Sequence, residues 1–333
     1  MRGAGMQTVC IIDTTLRDGL QHEERYLPLE QRLELVERLI AAGVARLEVG
    51  SFAHPVYLPQ FKEIDQFAMM LPRRKDVEYT FLALNRRAVE RAVELKARGA
   101  PIHRVLTGQL ATSAAYAKKN MNSTHEELFA EAERSVKLLH AGGIERVCGN
   151  VGTIFGCPIM GRVPLEEAYR FAQRLFDMGF DEVEHADTSG EATPDRVTEY
   201  FGEILRRWPD PAMHTLHIHD VNGMGMACYY AAMEAGMTQF ECTLGGIGGQ
   251  PANRMDGAVI HGTGDYYYTQ GRTGLVCTED FAAMAKRMGR DGGVDVGALI
   301  GAGARLEELL GRRLGSFAVA AVADRETAYD SAV

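Results

Sequence analysis

The feature that most constrains this chain is an alternation. Short apolar runs of strand type recur as VCIID (9–13), ARLEVG (45–50), VEYTFLA (77–83) and IHRVLT (102–107). They continue as ERVCGNV (145–151), EVEHAD (182–187), HTLHIHD (214–220) and QFECTLG (239–245). Stretches with apolar residues at helical spacing separate them, at 28–43, 86–99, 124–143, 164–179, 193–208 and 224–236, and 58–71 supplies a further helix. Strands that alternate with helices pair in parallel. Eight such units in 333 residues favour a (β/α)8 TIM barrel over an open doubly wound sheet. No G-x-G-x-x-G turn follows the first strand, so a dinucleotide fold loses its main support. The expected architecture is a barrel domain over 1–290, followed by a C-terminal helical extension and tail over 291–333 that pack on it.

Charge and cysteine usage narrow the function classes. A formal net charge of -9, with no lysine- or arginine-rich run, argues against nucleic acid or an acidic membrane surface as a partner. No apolar run is long enough to span a bilayer, and the start MRGAGMQTV has no signal-peptide core. Six cysteines without a C-x-x-C pair read as reduced, mostly buried thiols of a cytoplasmic protein. Its partner is then a small molecule, and a homo-oligomer, a dimer, is expected.

In a barrel of this kind catalytic groups gather at the C-terminal strand ends. Strand 1 ends in Asp13-Thr14-Thr15-Leu16-Arg17-Asp18-Gly19, strand 2 near Glu48, and strand 5 near Asn150. Strand 6 ends in His185-Ala186-Asp187-Thr188, and strand 7 in His217-Ile218-His219-Asp220. His217 and His219 lie two apart, so both imidazoles share one face. Such a pair with a carboxylate from elsewhere can hold a divalent metal, and it can equally be two satisfied histidines near the core. Asp18 is the natural carboxylate partner. Arg17 can hold a developing enolate or carboxylate oxygen. Glu48 either orients Arg17 and the metal shell or forms a structural ion pair in the mouth.

Together DTTLRDGLQHEE, LEVGSFAHPVYLPQ, KKNMNS, GCPIMGRV, DTSGEATP, HIHDVNGMG and GGIGG, in that order, resemble the metal-dependent TIM-barrel lyases and Claisen-type synthases with an Asp-Arg-Glu signature. Within that superfamily the chain most resembles 3-hydroxy-3-methylglutaryl-CoA lyase. The resemblance implies Mg2+ or Mn2+ held by Asp18, His217, His219 and an asparagine, and cleavage of a CoA thioester to an acyl-CoA enolate and a ketone or keto acid. Arg17 would face the enolate oxygen, with Glu48 in support. Gln21, Asn150, Asp187, Thr188 and Gln250 are expected to contact substrate.

The chain departs from that pattern in its glycine-rich segment LGGIGGQPANRMDG (244–257). Gln250 stands where the lyases carry a cysteine, and an amide cannot transfer a proton as a thiol does. Leu275 in GRTGLVCTED stands where they carry the asparagine ligand. GIGGQPAN instead puts Asn253 in register with the synthases' asparagine, so Asn253 is the expected fourth ligand, although an asparagine in such a loop can simply serve a turn. Ala114 replaces a usual glutamate. His185 stands at a usually apolar position, either as a substitute proton carrier or as a packed barrel histidine. Tyr266, Tyr267 and Tyr268 could close the mouth, and His22, His54 and His261 are weaker candidates. Four functions stay open: the lyase, a synthase running in reverse, an aldolase on a substrate without CoA, and a barrel kept only as a scaffold. Retention of Arg17, Asp18, Glu48, His217 and His219 argues against the last.

Overall fold

The strands close into a barrel in simple sequence order, each hydrogen-bonded in parallel to the next and β8 to β1. They are β1 (Cys10–Asp13), β2 (Arg46–Ser51), β3 (Glu78–Leu82), β4 (Arg104–Ala111), β5 (Arg146–Gly152), β6 (Glu182–Asp187), β7 (His214–Ile218) and β8 (Gln239–Cys242). This is a computed structural model, and it describes residues 7–21, 23–56, 58–157, 159–249, 253–255, 258–260 and 274–330, with side chains left out at 120, 253–255, 258–260 and 324–330.

Helices α1 (Leu29–Ala41), α2 (Ile64–Met70), α3 (Arg86–Ala97), α4 (Ala114–Met121), α5 (His125–Ala141), α6 (Leu165–Asp177), α7 (Pro194–Arg207), α8 (Gly225–Ala235) and α9 (Thr278–Arg287) accompany the barrel. Two differences from the sequence reading stand out. The stretch 58–71 is a single 3-10 turn at Pro59–Phe61 and then the short α2. α4 is an added helix whose first turn is capped by Ser113 Oγ, which accepts from the Tyr116 amide at 3.2 Å. The C-terminal extension consists of α10 (Val296–Leu310) and α11 (Phe317–Asp330), the latter tied down where Asp280 accepts from the Phe317 and Ala318 amides.

Outward-facing apolar strand residues such as Leu47, Val49, Tyr79, Phe81, Val105, Val147 and Val183 pack under the helices as one continuous core. The barrel interior is different. Cross-strand partners share a face, and the register aligns Glu48 with Thr80, Thr80 with Arg104, Asn150 with Glu184, Glu184 with Thr215, and Ile12 with Glu241. The inside is therefore largely polar and charged. At its N-terminal end three arginines meet one carboxylate. Arg46 Nη2, Arg104 Nε and Arg146 Nη1 donate to Glu182 at 3.0, 2.8 and 2.8 Å. Arg104 is completely buried and also donates to Cys148 Sγ at 2.9 Å.

Burial alone would raise the Glu182 carboxyl, but Arg104, Arg46 and Arg146 outweigh it and hold it at about 2. A carboxyl depressed below its ordinary 4.5 contributes stability in full above that value, and loses it as pH falls toward 2. Removing one partner of a buried ion cluster strands the others. Glu182→Ala is thus expected to cost about 3–5 kcal/mol of unfolding free energy at neutral pH. Urea unfolding of the variant measures this, and a loss within the range of a surface substitution would refute the cluster's structural role.

Candidate active site

β1 runs into a single π-helical turn, Thr15–Gly19, in which the Thr14 carbonyl accepts from the amides of Arg17, Asp18 and Gly19 at 3.1, 2.9 and 3.2 Å. Such widened turns recur at functional sites because they re-aim consecutive side chains. Here Arg17 Nη1 lies 2.7 Å from Asp18 Oδ1, and Arg17 Nη2 lies 2.8 Å from Glu48 Oε2. Thr14 Oγ1 donates to the same Glu48 oxygen at 2.8 Å, and Gln21 Nε2 donates to Asp18 Oδ1 at 3.0 Å. All of these groups are buried. Burial opposes the Arg17 charge, but Glu48 and then Asp18 outweigh it and keep the guanidinium charged. Among the described residues its Nε has no hydrogen-bond partner.

The end of β1 is fixed from the far side. Asp13 accepts from Thr278 Oγ1 at 2.7 Å and from the Thr15 amide at 3.0 Å, and burial raises its carboxyl to about 6. Thr15 Oγ1 accepts from the Leu244 amide at 2.7 Å, which fastens the glycine-rich segment beneath the turn. Gly248, at φ 126°, passes so close that a Cβ would stand 2.7 Å from Asp18 Oδ2. Only glycine meets both the conformation and the approach.

At the end of β7, His217 and, one residue past the strand, His219 turn into the mouth with Nε2 atoms 3.1 Å apart. Ligand atoms of Asp18, His217 and His219 all lie within 4.8 Å of one another. One carboxylate oxygen and two imidazole nitrogens converging in this way suit a divalent ion. His217 Nδ1 meets Glu241 Oε2 at 2.7 Å, a contact that puts the proton on Nδ1 and leaves Nε2 as a lone pair facing the cluster. Glu241 and Glu184 lie beneath His217 as a second converging group. Burial first, and then neighbouring carboxylates, push both of these carboxyls upward.

The other expected site residues divide. Asn150 Nδ2 donates to Glu184 Oε1 at 2.5 Å, and Thr188 Oγ1 accepts from the Thr153 amide at 3.1 Å, both at the β5–β6 side of the mouth. Asp187 is corrected: its two oxygens accept from the Glu191 and Ala192 amides at 3.0 and 2.8 Å, so it fastens the loop before α7. His54 is exposed in the loop after β2. Gln250, His22, His261 and Tyr266 to Tyr268 lie outside the described residues. Asn253 is described only in its backbone, which pairs with Ile260 in a two-stranded ribbon, β9 (Asn253–Met255) with β10 (Ala258–Ile260). Leu275 pairs antiparallel with His219 at the rim, where its apolar side chain offers no ligand atom.

His185 is also corrected, and as a proton carrier it is withdrawn. It shares a face with Val183, outside the barrel wall, where it packs against Tyr200 and Phe201 of α7. Its Nδ1 meets Tyr200 Oη at 2.9 Å, its Nε2 meets His214 Nδ1 at 3.0 Å, and His214 Nε2 meets the Trp208 carbonyl at 3.1 Å. The carbonyl can only accept, so the polarity of the whole chain is fixed: Tyr200 donates to His185, His185 to His214, and His214 to Trp208. Each imidazole is complete when neutral, and an added proton has no acceptor. Burial accordingly drives His185 well below its ordinary range and His214 to about 4.

The groups missed from sequence are Glu184, Glu241 and Arg104. Strand alternation carries the signal: Glu182, Glu184 and Ala186 share one face of β6, and Val183, His185 and Asp187 the other. Choosing the histidine's face as the inner one inverted the strand.

A (β/α)8 barrel with an Arg17–Asp18 turn and an inward histidine pair fits a class, the lyases and synthases that break or form carbon–carbon bonds on this fold. The HMGL-like family model matches residues 8–305, and the chain belongs to that family. It is similar to (R)-citramalyl-CoA lyase of Chloroflexus aurantiacus, 35% identical over 93% of each chain. It is also similar to hydroxymethylglutaryl-CoA lyase of Pseudomonas mevalonii, 31% identical over 96% of this chain and 100% of that one. Among solved structures it resembles an HMG-CoA lyase from Acinetobacter baumannii in complex with coenzyme A and 3-methylmalate, at TM-score 0.83 and 29% identity, over 96% of this chain and 97% of that one. The protein is thus an enzyme of the lyase class.

Two substitutions separate the roles. Glu241→Ala frees the His217 tautomer and is expected to weaken Mn2+ binding by about 10–100-fold, read by titration calorimetry. His185→Leu leaves Tyr200 and His214 short of a partner and is expected to cost about 1–3 kcal/mol of stability with Mn2+ affinity unchanged. The unfolded chain takes up protons on these histidines below about 6.5, and the folded chain does not, so their contribution falls as pH drops from there toward 4. The variant is expected to lose stability less steeply across that window, and an equally steep loss would contradict the assignment.

Proposed function

We propose that this enzyme is a divalent-metal-dependent lyase that splits a 3-hydroxy-acyl-CoA into an acyl-CoA, such as acetyl-CoA, and a keto acid. The observation that carries this reading is the convergence of Asp18, His217 and His219 beside a charged, buried Arg17. When bound, Mg2+ or Mn2+ supplies Lewis-acid polarisation of the substrate's hydroxyl and carboxylate oxygens. Asp18 and both histidines would hold it, with Asn253 as the proposed fourth ligand.

The rest follows from the chain's own groups. Loss of the substrate's hydroxyl proton lets the oxygen lone pair form a carbonyl as the carbon–carbon bond breaks. The bond electrons move into the thioester, giving an enolate that takes a proton at carbon. Arg17, held in place by Glu48, offers its guanidinium to that enolate oxygen. Glu241 keeps His217 in one tautomer. Neither His185, outside the wall, nor an amide at position 250 supplies the proton as a thiol would.

A groove of about 920 Å3 adjoins the site at Gly246 and Leu275 and continues past Met226, Met284 and Phe317. The relative named (R)-citramalyl-CoA lyase favours citramalyl-CoA beside 3-hydroxy-3-methylglutaryl-CoA as the substrate. Six free cysteines fit a reducing, cytoplasmic setting.

Incubation with Mg2+ and each thioester, followed by mass spectrometry, is expected to release acetyl-CoA from at least one and none after chelation with EDTA. Arg17→Met is expected to lower kcat about 10^2–10^3-fold. Absence of acetyl-CoA from both thioesters sinks the substrate reading. Condensation of acetyl-CoA with pyruvate under the same conditions would assign the synthase direction instead.

A further inference from the structure

Glu279, in the first turn of α9, is completely buried, and among the described residues no cation stands beside it. Its two oxygens converge on one backbone group. The Gly245 amide donates to Oε1 at 3.1 Å and to Oε2 at 2.9 Å, and Cys277 Sγ donates to Oε2 at 2.9 Å. Burial pushes the carboxyl up to about 7, and the neutral acid and the carboxylate each offer the amide an acceptor oxygen.

The neighbouring helix makes room for this side chain. A Cβ on Gly303, inside α10, would collide with Glu279 Oε1. Gly303 does not adopt a left-handed backbone, so conformation does not demand glycine there. Glycine inside a helix lowers stability relative to alanine. A carboxyl buried without a cation is a second cost, and an apolar side chain at 279 would pack α9 against α10 without it. Packing alone therefore explains neither residue.

What the pair does provide is a fixed Gly245. That residue sits at φ 62°, and its carbonyl accepts from the Gly315 amide of the α10–α11 connection at 2.8 Å. Leu314 packs where a Cβ on Gly245 would stand. Three residues further on, Gly248 meets Asp18. The chain between them has little play. Thr243 Oγ1 donates to the Ile247 carbonyl at 2.7 Å, and the Gly246 carbonyl lies against Gly274, where no Cβ fits. The segment is a stiff lever with Glu279 at one end and Asp18 at the other.

We propose that Glu279 is a positioning residue for the metal site, which fixes Gly245 and, through the glycine-rich segment, the contact of Gly248 with Asp18. The inference rests on the metal-dependent reading above and adds to it a residue that touches neither ion nor substrate.

Titration calorimetry with Mn2+ alone tests it on the folded full chain. Glu279→Asp keeps the charge and loses the reach to Gly245. Glu279→Gln keeps an acceptor oxygen at that reach and loses the charge. Mn2+ affinity is expected to fall about ten-fold in Glu279→Ala and Glu279→Asp and to stay close to the parent in Glu279→Gln. Gly303→Ala, which crowds the carboxyl, should fall with the first two. Cys277→Ala, which leaves the Gly245 bond intact, should bind as the parent does. Parent-like affinity in Glu279→Asp or Gly303→Ala, with only stability lowered, makes Glu279 a packing residue and overturns the proposal. Loss in Glu279→Gln with retention in Glu279→Asp also overturns it, because the site then needs charge and not position. Should Glu279→Ala not fold, Glu279→Asp and Gly303→Ala carry the comparison. The expected pattern with neither thioester cleaved sustains Glu279 and rejects the lyase reading. Thioester cleavage with the same Mn2+ affinity in every variant does the reverse, and a parent that binds no Mn2+ overturns both.

Discussion

A barrel filled with charge is stable only if each charge meets its opposite, and the rest of this structure depends on that pairing. Glu182 answers Arg46, Arg104 and Arg146 at one end, and Glu48 answers Arg17 at the other. The interior has a low dielectric, so an unmatched ion there costs far more than a surface ion pair contributes. The same low dielectric strengthens a guanidinium aimed at a forming oxyanion. Stability and chemistry thus draw on one arrangement. The arginines that neutralise the floor allow Glu184 and Glu241 to exist above it, and these two orient Asn150 and His217.

Geometry at the mouth comes from backbone more than from side-chain reach. The π-helical turn after β1 lets two successive residues, Arg17 and Asp18, serve one site. The glycine-rich segment could not approach Asp18 with side chains on it, since Gly248 is already in contact range. Asp13 and Thr15 lock the two pieces together through Thr278 and Leu244. Ligand positions are therefore fixed by buried bonds that do not themselves touch substrate, as a preorganised site requires.

All eight strands were legible in the chain, in order, because each pairs a compact apolar run with a following helical period. Arg17, Asp18, Glu48, His217 and His219 could be placed together because strand ends of a barrel converge. Other features were hidden for physical reasons. α4 is eight residues long and shows little periodicity. α11 is alanine-rich, without a strong apolar stripe. Glu184 and Glu241 were missed because a buried carboxylate looks the same in sequence as a solvated one. Only the cross-strand register, with Glu184 opposite Thr215 and Asn150, reveals its face.

The two histidine pairs show how far residue type falls short of role. His217 with His219, and His185 with His214, each place imidazole nitrogens about 3 Å apart. The first pair is anchored at one end by a carboxylate, which accepts from the Nδ1–H of His217 and so leaves the Nε2 lone pair directed into the mouth. The second ends on the Trp208 carbonyl and begins at the Tyr200 hydroxyl, so every lone pair and proton is already used. One chain of bonds lies inside the barrel and starts from a carboxylate, and the other lies outside the wall and is closed at both ends. A histidine at a strand end is suited to hold an ion when its proton is kept on the nitrogen away from the cavity, as Glu241 keeps that of His217.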